Sequence, residues 1–245
     1  MITICHRNSP IPWILMAMLG LAPFCCANPE EAVQPMVKQT SPNTYQIGIV
    51  SFNKETRELV IPANTNITEP NTVIEYLLIH DNGEKIHESL LTTQADPFHI
   101  NIAIKLLNYQ ESPELFKVRR PDGSIGKKYP EVSEEIKAAA RFRVLVSWMD
   151  GGTEKTIPVT EWIHNASSGK NMNPTAWVYN GSFVYDKKFN AKLTGSILAI
   201  FSDIGAIANY SGDDRNDDTL WSPSRNVPPA GTPVKVILKP WIAVQ

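Results

Sequence analysis

Phe142-Arg143-Val144-Leu145-Val146-Ser147-Trp148-Met149-Asp150-Gly151-Gly152-Thr153 is the stretch that decides the fold. Phe142, Val144, Val146 and Trp148 alternate with Arg143, Leu145 and Ser147, the period of two that sends successive side chains to opposite faces of a strand. One face therefore belongs to a core. Asp150-Gly151-Gly152 then turns the chain into Thr153 to Ile157, closing a hairpin.

Working upstream, Tyr45 to Ser51 reads as a strand, Asn53 to Thr56 as a turn and Glu58 to Ile61 as its return. Val73 to His80, a turn at Asp81-Asn82-Gly83 and Lys85 to Leu91 give a second expected hairpin, since Asn-Gly is the strongest short hairpin signal. Asp96 and Pro97 stand where an N-cap and a first helical residue belong, and Ile100, Ala103, Ile104 and Leu107 recur at helical spacing. The stretch from Glu111 to Ala140 reads as a surface excursion, with a short helix over Ser133 to Ala140. Downstream, Ala176 to Val184 and Ser196 to Phe201 read as buried strands separated by a turn at Asp186-Lys187-Lys188. Ser202 or Asp203 is expected to cap a short helix through Ile207, and Val234 to Leu238 is a last strand. Together these predict an α+β domain, with a mainly antiparallel or mixed sheet built from hairpins and two or three short helices.

The beginning of the chain reads as an export signal. Arg7 precedes an apolar run from Ile11 to Leu21, bracketed by Pro12 and Pro23. Those 11 residues fall short of the roughly 20 that a spanning helix needs. Cys25 and Ala27 offer small residues for signal-peptidase cleavage before Asn28; the rival reading lipidates Cys25 or Cys26. Residues 1–27 are thus expected to be a signal, 28–44 a flexible leader and 45–245 a single domain in the periplasm or secreted, with no transmembrane helix in the mature chain. Cys5, Cys25 and Cys26 all lie in the signal, so the mature chain has no disulfide or thiol chemistry and no cofactor is expected. Beyond Ala27 the chain holds 22 basic and 25 acidic residues, a balance that argues against a nucleic-acid footprint or a polybasic membrane patch.

Several short motifs resemble a known family. They are Glu75-Tyr76-Leu77-Leu78, Lys85 to Leu91, Asp96-Pro97, Trp177-Val178-Tyr179-Asn180-Gly181-Ser182, Gly195-Ser196 with Asp203 following, and Gly231-Thr232-Pro233-Val234. In this order they resemble the YdjY-type domain of exported proteins from planctomycete-like bacteria, over roughly Tyr45 to Pro240. The resemblance implies no established activity. Some relatives carry ferredoxin-like cysteine segments, which this chain lacks.

Candidate sites each have a structural counterpart. His87-Glu88-Ser89 mixes a base, an acid and a hydroxyl, but on a strand Glu88 faces away from the other two. A catalytic version pairs His87 with Asp96 or Asp203; the structural version lets His87 hydrogen-bond across the sheet. Asp213, Asp214, Asp217 and Asp218 crowd one loop as calcium ligands do, without the EF-hand spacing. Trp162, Trp221 and Trp241 are candidate members of an aromatic binding platform, whereas Trp148 and Trp177 are assigned to the core. His80, His99 and His164 lack zinc spacing, and GxSxG, GxGxxG and Walker sequences are absent. The resulting expectation is a non-enzymatic module for an envelope protein or small ligand, with an envelope enzyme or metal-assisted hydrolase centred on His87 as the alternative.

Overall fold

Eight strands close into a barrel. The computed structural model describes residues 36–120, 122–215 and 220–242; the expected signal with its three cysteines, and Asp217 and Asp218, lie outside them. Residues Pro35–Gln245 form one compact unit.

The chain begins as an antiparallel meander of β1 (Val37–Ser41), β2 (Thr44–Ile47), β3 (Val50–Asn53) and β4 (Glu58–Thr65). The expected strand over Tyr45 to Ser51 is in fact β2 and β3, folded at Gly48. Next come β5 (Tyr76–His80) and β6 (Ser89–Thr93), then α1 (Pro97–Leu106), α2 (Glu134–Ala140) and the hairpin of β7 (Arg141–Asp150) with β8 (Thr153–Pro158). Gly151 and Gly152 both take positive φ, 57° and 86°, as a two-residue hairpin turn requires. The remainder is β9 (Ile163–Asn165), β10 (Trp177–Tyr179), the small hairpin of β11 (Val184–Tyr185) and β12 (Lys188–Phe189), α3 (Asn190–Thr194), β13 (Ser196–Ala199), β14 (Ala208–Tyr210), β15 (Trp221–Pro223) and β16 (Pro233–Pro240).

Around the barrel the order is β4, β16, β7, β10, β14, β13, β5, β6 and back to β4. Inward-facing Leu59, Ile61, Phe142, Val146, Val236 and Leu238 are buried in its interior. Two strands share their edges to make closure work. β4 pairs with β3 through Ser51–Val60 and with β6 from Asn64, and Pro62 lies between the two partners. Its carbonyl accepts from the Thr93 hydroxyl, and its missing N–H falls where no ladder bond is needed. β7 likewise gives Arg141 and Phe142 to β10, and Leu145 onward to β8.

The structure corrects the expected α+β hairpin sheet. Strand makes up 39% of the described residues and helix 14%, and the sheet is a closed barrel with extra strands. The second expected hairpin fails for a particular reason. After the turn at His80 to Gly83, a single 3₁₀ turn over Ile86–Glu88 carries the chain back, so that β6 runs parallel to β5 with Tyr76 opposite Ser89. Gly83 serves close approach instead of a hairpin: a Cβ on Gly195 would fall 2.6 Å from the Gly83 Cα. The expected helix after Ser202 is an Asx turn, in which Asp203 Oδ1 accepts from the Gly205 N–H at 2.7 Å. The expected caps of α1 and α2 are formed, with Asp96 accepting from the Phe98 N–H and Ser133 from the Ile136 N–H. No helix among the described residues is long and apolar enough to cross a membrane.

Candidate functional site

The outside of the barrel is not treated alike all the way round. Over β5 and β13 lies a second small core of Tyr76, Ala199 and Ala206 with Phe201 against it. Over β10, Leu115, Ala140 and Val178 form a third, flanked by Phe116. The outward residues of β4, β16 and β7 have no such layer. Register places Val60, Ile237 and Leu145 in one cross-strand row, with Pro62, Lys235 and Ser147 in the next and Asn64 and Pro233 beyond, leading to Met149. This wall is apolar where an exposed antiparallel face is ordinarily polar.

A hollow of about 610 Å³ lies on it, and hollows of about 540 and 420 Å³ share lining residues with that one. The first lies over Pro62, Val60 and Lys235 with Ile49 at its edge; Trp148 and Met149 divide it from the second, and Gln94 divides it from the third. Met149 is 60% exposed and Ile49 47%. In the middle, Ser147 is buried and donates to Glu154 Oε1 at 2.8 Å, and Lys235 Nζ reaches the same oxygen at 2.9 Å. The hydrogen bonds from Lys235 and Ser147 hold the Glu154 carboxyl below its ordinary pKa. Trp148 is half-buried, its ring tilted against Trp162 with centroids 5.0 Å apart. Trp162 lines the second hollow; it is fully buried, and its Nε1 has no hydrogen-bond partner among the described residues.

The residues singled out from sequence are placed as follows. His87 sits on the 3₁₀ turn, not on a strand; its side chain is 74% exposed and its Nε2 is 3.3 Å from Glu88 Oε1. Lys85 binds that same oxygen. Burial pushes the Glu88 carboxyl up, but hydrogen bonds from Lys85 and Glu75 outweigh it and leave the pKa low. Among the described residues, neither Asp96 nor Asp203 is joined to His87. Asp96 caps α1 and pairs with Lys192 at 2.6 Å. Asp203 accepts from the Tyr76 hydroxyl at 3.0 Å and, through its backbone, exchanges hydrogen bonds of 2.8 and 2.9 Å with the Asn209 side chain. Burial, reinforced by the Asp203 charge, raises the Tyr76 pKa.

Asp214 Oδ2 meets Asn173 Nδ2 at 3.5 Å and Asp213 precedes it, whereas Asp217 and Asp218 lie outside the described residues. Among the described residues no three His, Cys, Asp or Glu side chains stand close enough to hold a metal. Trp221 is buried against Tyr210, while Trp241 is half-buried and lines a separate cleft of about 290 Å³ with Trp177 and Arg143. Trp148, assigned to the core by alternation, packs against the core and also lines the first two hollows, the second together with Trp162. The signal that points to the wall is Leu145, an apolar residue at an outward position of the alternation, facing Ile237 and Val60.

These features define a closed β-barrel domain with one uncovered, troughed wall. A family model for the YdjY domain matches residues 50–239, and the chain belongs to the YdjY domain family. No curated protein and no solved structure matches it.

Proposed function

We propose that this YdjY domain acts outside the cytoplasm as a non-enzymatic binding module, and that its trough takes an extended polypeptide segment of an envelope partner. The observation that carries this reading is the uncovered wall: the chain spends residues on covering β5, β13 and β10 and leaves β4, β16 and β7 open. From β6 across β4, β16 and β7 to β8 there are four strand spacings, roughly 19 Å at about 4.8 Å each, the reach of about six extended residues. Apolar groups on the floor suit side chains, and the amides of Asn64 and Gln94 at the margin suit a peptide backbone.

The His87–Glu88 contact supports the alternative, a metal-assisted hydrolase. It lies on an open turn with a highly exposed imidazole, and the hollows described above do not include it.

The test is a thermal-shift screen of the chain from Asn28 onward against peptide mixtures, oligosaccharides and divalent metals, for wild type, Met149→Asp and His87→Ala. A ligand at a hundred times its dissociation constant adds about 2.7 kcal/mol of stability, a shift of several degrees. A peptide shift lost in Met149→Asp supports the proposal. A saccharide shift lost in that variant replaces the peptide with a glycan, and a metal-dependent shift lost only in His87→Ala favours the hydrolase.

A further inference from the structure

The hairpin of β11 and β12 pairs with no other strand among the described residues. Val184 faces Phe189 across it, and Tyr185 faces Lys188. Both turn residues, Asp186 and Lys187, have positive φ, 48° and 60°. The turn geometry is the one that favours Asn-Gly, so a lysine at its tip is held there against backbone preference.

Around this tip the protein exposes apolar side chains that the barrel has no need to leave outside. Val184 is 67% exposed, Tyr185 77% and Leu193 57%, with Phe183 and Phe98 each 41% exposed. They form one locality. The Phe98 and Phe189 rings lie 6.1 Å apart, the Asn190 N–H donates to the Phe183 carbonyl at 2.9 Å, and Leu193 follows on α3. Lys187, Lys188 and Lys192 stand among them. The acidic residues nearby are Asp186 in the turn, Asp96, which is paired with Lys192, Glu84, whose N–H donates to the Thr194 carbonyl, and Asp203, which shares the surroundings of Gly205 with Asn190; Lys187 and Lys188 stand at the tip beside Asp186.

We infer that this hairpin is an interfacial anchor that docks the domain onto an anionic lipid surface. The exposed apolar side chains of Val184 and Tyr185 stand beside Lys187 and Lys188, a combination that suits entry among acidic lipid headgroups. Tyr185 has an apolar body and a polar end, the combination that settles at a membrane–water boundary. Val184 and Leu193 supply apolar area, and Lys187 and Lys188 supply attraction to acidic headgroups, each strengthening attachment roughly fivefold within a Debye length. Lys192 also lines the third hollow beside Asp96, so a docked domain presents that hollow near the lipid surface.

Co-sedimentation of the chain from Asn28 onward with phosphatidylcholine vesicles, with and without phosphatidylglycerol, tests this. Wild type is expected to sediment with the anionic vesicles and to remain in solution with the neutral ones. Val184→Asp combined with Tyr185→Asp is expected to lose at least tenfold in partitioning, as is Lys187→Glu combined with Lys188→Glu, with the circular dichroism of both unchanged because all four side chains are largely exposed. Failure of wild type to bind anionic vesicles, or binding that both variants retain, overturns the inference. Competition by soluble polyglutamate as effective as by vesicles also overturns it, in favour of an acidic protein partner.

Discussion

The wall made by β5, β13, β14 and β10 is covered on both sides; the wall made by β4, β16 and β7 is covered on one. In the first, every residue of β10, β13 and β14 is buried, as are the first four of β5. In the second, β4 and β16 alternate between buried and open positions along their lengths. The covered wall needs an outer layer, and a network of asparagines holds that layer in place: Asn209 bonds Asp203 and Asn180, and Asn180 in turn donates to the Ala206 carbonyl at 2.8 Å. The uncovered wall uses long ladders instead, so its outer side chains are free of structural duty. A barrel can afford a binding surface only where its own strand pairing suffices.

Substitutions separate the two walls. The interior they share comes first: Phe142→Ala, which empties a fully buried site, is expected to cost about 4 kcal/mol in urea denaturation. Asn209→Ala strips the outer layer of the covered wall and orphans the Asp203 N–H and C=O, for an expected loss of about 3 kcal/mol by the same measurement. A loss under 1 kcal/mol there would mean that the outer layer stands without its polar network.

Asp96→Ala removes the α1 cap, at an expected cost of about 1 kcal/mol near neutral pH. Burial pushes the Asp96 carboxyl up, but the hydrogen bonds from Lys192 and the Phe98 N–H outweigh it and hold its pKa low in the folded protein. A carboxyl depressed on folding contributes its stability above the unfolded value, about 3.9, and loses it as pH falls through the folded one. The stability gap between wild type and Asp96→Asn is therefore expected to be full at neutral pH and to close as pH falls below about 4, as denaturation at a series of pH values will show. The smallest effect belongs to the uncovered wall, where Met149→Asp is expected to change stability by no more than about 0.5 kcal/mol.

The same contrast explains what could be read from the residues. The hairpin of β7 and β8 shows itself because one face is dry and the other wet, which writes a period of two into the chain. Asp96-Pro97 and Ser133 announce α1 and α2 through cap chemistry that is local in sequence. By contrast, Tyr76 to Ile79 and Ser196 to Ala199 are covered on both faces, so no period marks their pairing, and β13 and β14 run parallel through a loop that looks like a helix start. Nor could Asn82-Gly83 reveal that β6 returns parallel to β5, because the turn forms and only the continuation differs. For the site, alternation correctly sends Trp148 inward but cannot say that it stands at the barrel's end, where Trp162 leaves one of its sides open. Pro62, Gln94, Met149 and Lys235 come from separate strands and connections and meet only through register.

Binding at the uncovered wall is open to amide chemical-shift mapping with a peptide that passes the thermal-shift screen. Perturbations are expected at Ile49, Asn64, Gln94, Met149 and Lys235. Shifts confined to His87 and Glu88, with the trough residues unmoved, would contradict binding at that wall.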